Sequence, residues 1–244
     1  MKKIAILLCA LMLITVAACT KKPEPSPAPV DETEAEPDPV AEPIAGGWAI
    51  AEDTSMTDTL RAIYEKGMEG LVGVDYTPIA LLGTQVVAGT NYCFLAQGTV
   101  VYPGSTPMYM LVYLYEDLSG AVSLMNIENM PIIAEDDGTL SAPDAEMLSG
   151  GWAYADSYEV TDEMKDRLNK ALEETVGAEY EPIANLGTQV VAGLNRCLLC
   201  KVTPVVPNPE SHFALVYVYE DLEGGASLNY VIDFDFAAFC TYGA

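Results

Sequence analysis

A tandem duplication constrains this chain more than any other feature. Residues 85–89 read Gln-Val-Val-Ala-Gly, and residues 189–193 repeat the same five letters 104 positions later. The same spacing relates two more pairs of segments: Gly46-Gly47-Trp48 with Gly150-Gly151-Trp152, and Tyr115-Glu116-Asp117-Leu118 with Tyr219-Glu220-Asp221-Leu222. No gap is needed between them, and a period of about one hundred residues is the size of a small domain. The sequence therefore predicts two copies of one structural unit.

The charge of the chain excludes one class of partner. Of 244 residues, 36 are acidic and 11 are basic, which gives a formal net charge of −25. Nucleic-acid phosphates would repel such a surface, so we expect no nucleic-acid partner. The charge also predicts a well-hydrated exterior, and we expect a monomer.

The first 43 residues predict a secretion signal and a tether. Lys2 and Lys3 precede an apolar run at residues 4–16 that is too short to span a bilayer. The run ends in Val-Ala-Ala-Cys19, which resembles a bacterial lipobox with Cys19 as the lipidated residue; the alternative is an ordinary signal peptide with an incidental cysteine. Residues 20–43 are rich in Pro, Glu and Asp, a composition typical of a disordered, extended segment. We therefore expect residues 1–19 to be a lipoprotein signal peptide and the protein to be lipid-anchored in the cell envelope, facing outside the cytoplasm.

Each repeat carries the pattern of one helix followed by several strands. A helix is predicted from about residue 58 to 72, with Thr57 as its N-cap, and the matching helix of the second repeat begins after Thr161. The apolar side chains on one face of the first helix are Leu60, Ile63, Tyr64, Met68 and Leu71. Strands are predicted at about residues 78–87, 90–101, 108–117 and 121–129.

These elements predict the α+β class, with two tandem domains that each pack a helix across an antiparallel β-sheet. We place domain 1 at residues 44–133, a linker at 134–147 and domain 2 at 148–244, and we expect each domain to fold alone. In the strand at 108–117, Val112 and Leu114 are expected to face the helix, while the tyrosines form a half-exposed outer face.

The repeated pentapeptide predicts the tip of a β-hairpin. Apolar strand-forming residues lead into Ala88-Gly89, and Gly takes positive φ without a Cβ clash. Hairpin tips are normally polar, so a small apolar tip indicates contact with a partner.

Residues 84–92, Thr-Gln-Val-Val-Ala-Gly-Thr-Asn-Tyr, together with the upstream Gly pair, resemble the cystatin superfamily of papain-like cysteine peptidase inhibitors, and the stefins in particular. The resemblance covers roughly residues 44–130 and 148–236. It implies a cystatin-like fold for each repeat, and an apolar wedge made of the Gly-Gly segment, the first hairpin and a second hairpin. In the family that the chain resembles, this wedge fills the peptidase cleft without presenting a scissile bond.

The resemblance implies peptidase-binding residues in both repeats. In the first repeat they are Ile44, Ala45, Gly46, Gly47, Gln85, Val86, Val87, Ala88, Gly89 and Leu118. In the second repeat they are Leu148, Gly150, Gly151, Gln189, Val190, Val191, Ala192, Gly193 and Leu222. Leu118 stands where stefins carry a Leu-Pro hairpin, and the Pro-Trp of other cystatins is absent. Replacing Gly89 by Glu is expected to weaken binding more than folding.

The implied function is a surface-anchored, reversible inhibitor of papain-like cysteine peptidases, with the membrane contacted only through the lipid. The alternative is a non-inhibitory surface module of the same fold that binds a peptide, a protein or a glycan. Inhibition of papain distinguishes the two.

Catalytic and metal-binding patterns are weak in this sequence. His212 is the only histidine, and Met108 stands at its position in the first repeat, so a His-based metal cluster cannot form. No Gly-rich phosphate loop is found on a strand-to-helix turn. We therefore expect no enzymatic activity, no metal and no cofactor.

The remaining cysteines predict structural roles. Cys93 and Cys197 occupy equivalent positions, which is typical of small buried residues. Cys197 and Cys200 lie three apart on a predicted strand and so face opposite sides, unlike a redox motif. Whether Cys200 pairs with Cys240 stays open.

Overall fold

Two five-stranded antiparallel sheets, one from each repeat, form the framework of the protein. A computed structural model describes residues 46–135, 138–143 and 150–240. Sheet 1 contains, in spatial order, β1 (Trp48–Ile50), β2 (Val74–Val87), β3 (Gly89–Val100), β4 (Met108–Asp117) and β5 (Val122–Asn129). A small ribbon follows, made of β6 (Ile133–Ala134) and β7 (Leu140–Ser141). Sheet 2 contains, in spatial order, β8 (Trp152–Tyr154), β9 (Ala178–Val191), β10 (Gly193–Pro204), β11 (His212–Glu220) and β12 (Ala226–Phe234).

In the sequence of each repeat, one α-helix separates the first strand from the second. These helices are α1 (Asp58–Gly67) and α2 (Asp162–Ala171). The Thr57 hydroxyl accepts the Leu60 amide N–H at 3.3 Å, and Thr161 accepts the amide N–H of Met164 at the same distance, which confirms both predicted N-caps. A short 3₁₀ helix, Phe236–Phe239, follows β12.

The two sheets pack face to face around one shared core. Tyr109, Leu111 and Tyr113 of β4 are fully buried, as are Leu215 and Tyr217 of β11, and all five belong to one cluster. The half-exposed tyrosine face predicted from the sequence is therefore wrong for these side chains. The duplication creates two similar apolar faces, and packing one against the other removes both from water.

The outer face of each sheet carries its helix. Val112 and Leu114 of β4 pack with Tyr64 of α1, as predicted, and Val216 of β11 packs with Leu168 of α2. β4 and β11 are therefore buried on both faces, which explains why their sequences are apolar at nearly every position.

The predicted fold class is wrong. The structure is mostly β, with 51% strand and 13% helix, and the described residues contain two short α-helices. It is not a pair of separate α+β domains, because the face of each sheet that lies away from its helix packs against the other repeat. Hydrophobic periodicity identified the helix and strands of each repeat. It did not show what packs on the face of each sheet that lies away from its helix.

The segment after the last strand of each sheet crosses to the other sheet. Phe236, which follows β12, lies against Gly83 of β2, and Ile132, which follows β5, lies against Gly187 of β9. A Cβ on either glycine would overlap the side chain packed on it. The four positions are related by the 104-residue repeat spacing, so the crossing is symmetric.

Two buried tyrosines fix these crossing segments. The Tyr113 hydroxyl donates to the Phe236 carbonyl oxygen at 2.6 Å, and the Tyr217 hydroxyl donates to the Ile132 carbonyl oxygen at 3.0 Å. The Tyr109 hydroxyl adds a third bond between the repeats, to the Ala155 carbonyl oxygen at 2.8 Å. Each bond satisfies a polar group that burial would otherwise leave unpaired.

Candidate functional site

Three segments of the first repeat meet at one end of sheet 1. We call this end edge 1 and define it by the Gly46-Gly47 segment, the hairpin tip at residues 86–89 and Leu118 in the turn after β4. The Gly46 amide N–H donates to the Val86 carbonyl oxygen at 3.1 Å, and Gly89 pairs with Asp117 across β3 and β4. The structure thus brings together the described members of the predicted wedge.

Edge 2 is the equivalent end of sheet 2. It comprises Gly150-Gly151, the hairpin tip at residues 190–193 and Leu222. Three of the predicted binding residues, Ile44, Ala45 and Leu148, lie outside the described residues, as does Cys19. Their roles stay predictions.

A glutamine clamp holds the Gly-Gly segment to the hairpin in both repeats. In edge 1, Gln85 Nε2 donates to the Gly46 carbonyl oxygen at 2.8 Å, and Gln85 Oε1 accepts from Asn91 Nδ2 at 2.7 Å. In edge 2, Gln189 bridges Gly150 and Asn195 at 2.9 and 2.7 Å. Gln85 and Gln189 were predicted as contact residues, and the structure gives them this positioning role.

The hairpin tip is rigid because β4 supports it. Ala88 joins β2 to β3, and its carbonyl oxygen accepts the Tyr115 hydroxyl at 2.6 Å. Gly89 has φ +136°, and a Cβ there would overlap the Glu116 carbonyl oxygen and lie 2.8 Å from the Tyr115 ring. A side chain at this position would therefore strain the fold, which the sequence reasoning did not foresee. Whether replacing Gly89 affects binding more than folding stays a prediction.

The second hairpin tip repeats this geometry. The Tyr219 hydroxyl donates to the Ala192 carbonyl oxygen at 2.6 Å, and Gly193 has φ +130°. A Cβ on Gly193 would overlap the Glu220 carbonyl oxygen. Both tips are thus presented as fixed shapes.

The turn after the fourth strand of each sheet presents an exposed leucine. Asp117 Oδ1 accepts the Ser119 hydroxyl at 2.6 Å and the amide N–H groups of Ser119 and Ala121 at 2.7 and 3.0 Å. These hydrogen bonds lower the pKa of Asp117 and keep the turn in one conformation. Leu118 lies at the apex of this turn.

The apolar side chains of both edges are accessible. In edge 1, Val86 is 45% exposed, Val87 41% and Leu118 87%; in edge 2, Val190 is 69% exposed, Val191 42% and Leu222 83%. Apolar side chains gathered at one place on a surface are typical of an interaction site.

One difference between the two edges was not predicted from the sequence. Behind edge 1, the Tyr92 hydroxyl donates to Glu116 Oε2 at 2.8 Å, and burial followed by this bond raises the pKa of Tyr92 to about 12. Behind edge 2, Arg196 at the equivalent position makes a largely buried ion pair with Glu220, with Nε 2.7 Å from Oε1. The 104-residue offset, applied position by position, would have revealed this Tyr-to-Arg exchange.

The end of the second repeat also contributes to the surroundings of edge 1. A cavity of about 560 Å³ beside the hairpin is lined by Trp48, Gln85 and Tyr115, and also by Ala237 and Cys240. Sequence reasoning missed these last two residues because the crossing of the C-terminal segment was not foreseen.

The cysteines take structural positions. Cys93 and Cys197 are fully buried, as expected, and burial raises the pKa of both thiols. Cys200 lies in the cluster under α2, whereas Cys240 packs against the core shared by the sheets, so the structure does not bring these two together.

The described part of the chain offers few groups for metal binding or catalysis. No group of three or more His, Cys, Asp and Glu side chains there is placed to hold a metal ion. His212 Nε2 lies 3.3 Å from Asp233 Oδ1 in a partly exposed pair. Within the same residues, no helix has the length and hydrophobicity needed to cross a membrane.

No model of a known protein family matches this chain, and no curated protein matches it. The functional interpretation therefore rests on the geometry of the two edges and on the motif they contain.

Proposed function

We propose that each edge inserts into the active-site cleft of a papain-like cysteine peptidase and blocks it reversibly. The observation that carries the proposal is the gathering of Val86, Val87 and Leu118, all exposed, at one end of a sheet where the Gln85 clamp also holds the Gly46 segment. The repeated set at edge 2 supports it. The cystatin resemblance of the same residues gives the class of target.

The rigidity of the hairpin tip supports the proposal that the tip blocks the peptidase cleft and is not itself cleaved there. Val86 and Val87 are paired with β3, and the Ala88 carbonyl oxygen is already hydrogen-bonded to Tyr115. Backbone groups that are already hydrogen-bonded within the sheet are not free to form the bonds that a cleft makes with an extended substrate. Preorganisation also lowers the entropy lost on binding, so more of the burial energy, roughly 25 cal/mol per Å² of apolar surface, is kept as affinity.

The proposal needs no catalytic group, metal or cofactor in this chain. Lipidation of Cys19 would keep the inhibitor at the cell envelope. A monomer that presents two edges is sufficient for the activity.

The test is inhibition of papain by the full chain and by variants of the exposed side chains. Edge 1 is altered by Val86→Glu with Leu118→Glu, and edge 2 by Val190→Glu with Leu222→Glu. Burying an unpaired carboxylate is costly, so we expect the fourfold variant to lose at least about 100-fold in affinity, which corresponds to about 2.7 kcal/mol.

Two controls separate this effect from added charge. Ala62→Glu and Asn169→Glu each add one negative charge at an exposed position, on α1 and α2 respectively, and together they match the two charges added at one edge. Alone and combined, they should inhibit like wild type. A folded fourfold variant that inhibits as well as wild type would show that the edges are not the inhibitory surface. If wild type inhibits no papain-like peptidase, the non-inhibitory binding module replaces the proposal.

A further inference from the structure

The crossing segments determine how the two edges are arranged. Edge 1 lies at the end of sheet 1 where β1 pairs Trp48 with Gln85. Phe236 packs edge-to-face on Trp48, with ring centroids 5.5 Å apart. Phe236 follows Phe234, which pairs with Phe213 at the end of sheet 2 away from edge 2. The end of sheet 2 opposite edge 2 therefore lies beside edge 1.

The reciprocal contacts give the same arrangement. Tyr109 stands near the start of β4, at the end of sheet 1 away from edge 1. Its ring packs edge-to-face on Tyr154 at 5.7 Å, and its hydroxyl bonds to Ala155. Tyr154 pairs with Gly187, which lies a few residues before the tip of edge 2. The sheets thus pack head to tail, and the two edges face opposite ends of the sandwich.

The separation of the edges follows from strand length. β4 contains 10 residues, which at about 3.4 Å per residue spans roughly 34 Å. The apolar side chains of both edges are exposed in the same structure, and the shared core uses none of them. A globular partner bound at one end therefore leaves the other end accessible.

From this geometry we propose that one chain holds two papain-like peptidases at once, one at each end, and so links them into a single complex. The inference rests on the proposed function, and it adds a stoichiometry and an arrangement. Side-by-side edges would have allowed one partner to exclude the other, whereas opposite ends do not.

The experiment uses the full chain and papain whose catalytic cysteine is blocked with a methylthio group, so that nothing is cut. With excess papain, sedimentation velocity should show a complex with the mass of one chain and two papain molecules. Each single-edge variant, Val86→Glu with Leu118→Glu or Val190→Glu with Leu222→Glu, should bind one papain, with wild-type affinity at its intact edge to within about threefold.

A capture experiment tests the linkage directly. Immobilised papain that has bound the full chain should then capture labelled soluble papain, and either single-edge variant should abolish this second capture while the Ala62→Glu control retains it.

The outcomes separate the two proposals. If wild type saturates at one papain while both single-edge variants also bind one, the edges exclude each other and the two-peptidase complex is wrong. If one single-edge variant binds papain and the other does not, only one edge is active; the inference is then wrong, although the proposed function stands. If no complex forms at all, the proposed function fails and the inference fails with it.

Discussion

Gln85 illustrates how one residue in a recognition motif can serve the fold. Its side chain joins the Gly46 carbonyl oxygen to Asn91, whose side chain is buried. A polar group left unpaired by truncation costs about 1–3 kcal/mol. The motif is therefore informative about function only for the residues that remain exposed.

We expect Gln85→Ala to lower the free energy of unfolding by about 1–2 kcal/mol, because Asn91 loses its acceptor. Chemical denaturation measures the change. Val101→Ala, at an exposed position without such a clamp, is the control. A loss for Gln85→Ala no larger than the loss for this control would contradict the role given to Gln85 and Asn91.

Gly89→Ala is expected to destabilise the protein by about 3 kcal/mol, because it combines positive φ with overlap on the Glu116 carbonyl oxygen. Gly104→Ala is the matched control, since Gly104 also has positive φ, +85°, but nothing lies within 4 Å of a Cβ there. The control should lose only about 1 kcal/mol. Equal melting temperatures for the two variants would show that the tip relaxes around a side chain.

At the scale of elements, the crossing segments connect the repeats. Phe236 contacts Gly83 and Trp48, and its carbonyl oxygen accepts from Tyr113, so a segment at the end of the second repeat completes the packing of the first.

We expect Phe236→Ala to cost about 3–5 kcal/mol and Ile132→Ala about 2–5 kcal/mol, because each leaves a cavity on the opposite sheet. Urea denaturation followed by tryptophan fluorescence measures both, and Trp48 reports directly on the loss of Phe236. Val101→Ala, at an exposed position, should change stability by less than about 0.5 kcal/mol. Values near the control for Phe236→Ala would show that the crossing contributes little.

Local elements were predictable from the sequence, whereas their assembly was not. The threonine N-caps, the hairpin and the helix-facing Val112 follow from short-range rules. Tyr113 appeared half-exposed because alternation along a strand shows that a second face exists without showing what covers it. Ile132 and Phe236 were missed because they follow the last strand of each repeat, where no periodic pattern marks them.

For the whole molecule, the shared core makes stability depend on pH in the alkaline range. Burial raises the pKa of Tyr109, Tyr113 and Tyr217 above the ordinary value of 10.0. The folded state thus favours the neutral phenol, so this stabilisation is complete below pH 10 and is lost as the pH rises above it.

Titration from pH 9 to 12 should therefore show tyrosinate absorbance from the core tyrosines only together with loss of circular dichroism. Full tyrosine ionisation at pH 11 with an unchanged spectrum would contradict the burial of these rings.

The shared core also changes the expectation for the separate repeats. The sequence predicts that residues 44–133 and 146–244, expressed separately, each fold alone. Tyr113 of the first repeat donates to Phe236, which follows sheet 2, and Tyr217 of the second repeat donates to Ile132, which follows sheet 1. Because each repeat thus depends on the crossing segment of the other, we now expect neither repeat alone to give a cooperative monomeric melt.

The most direct test of the central claim, that the two repeats share one core, is differential scanning calorimetry of the full chain. We expect one transition with equal calorimetric and van't Hoff enthalpies, and Phe236→Ala should shift the whole transition to lower temperature. Two transitions, or a calorimetric enthalpy about twice the van't Hoff value with Phe236→Ala affecting only part of the signal, would contradict the shared core.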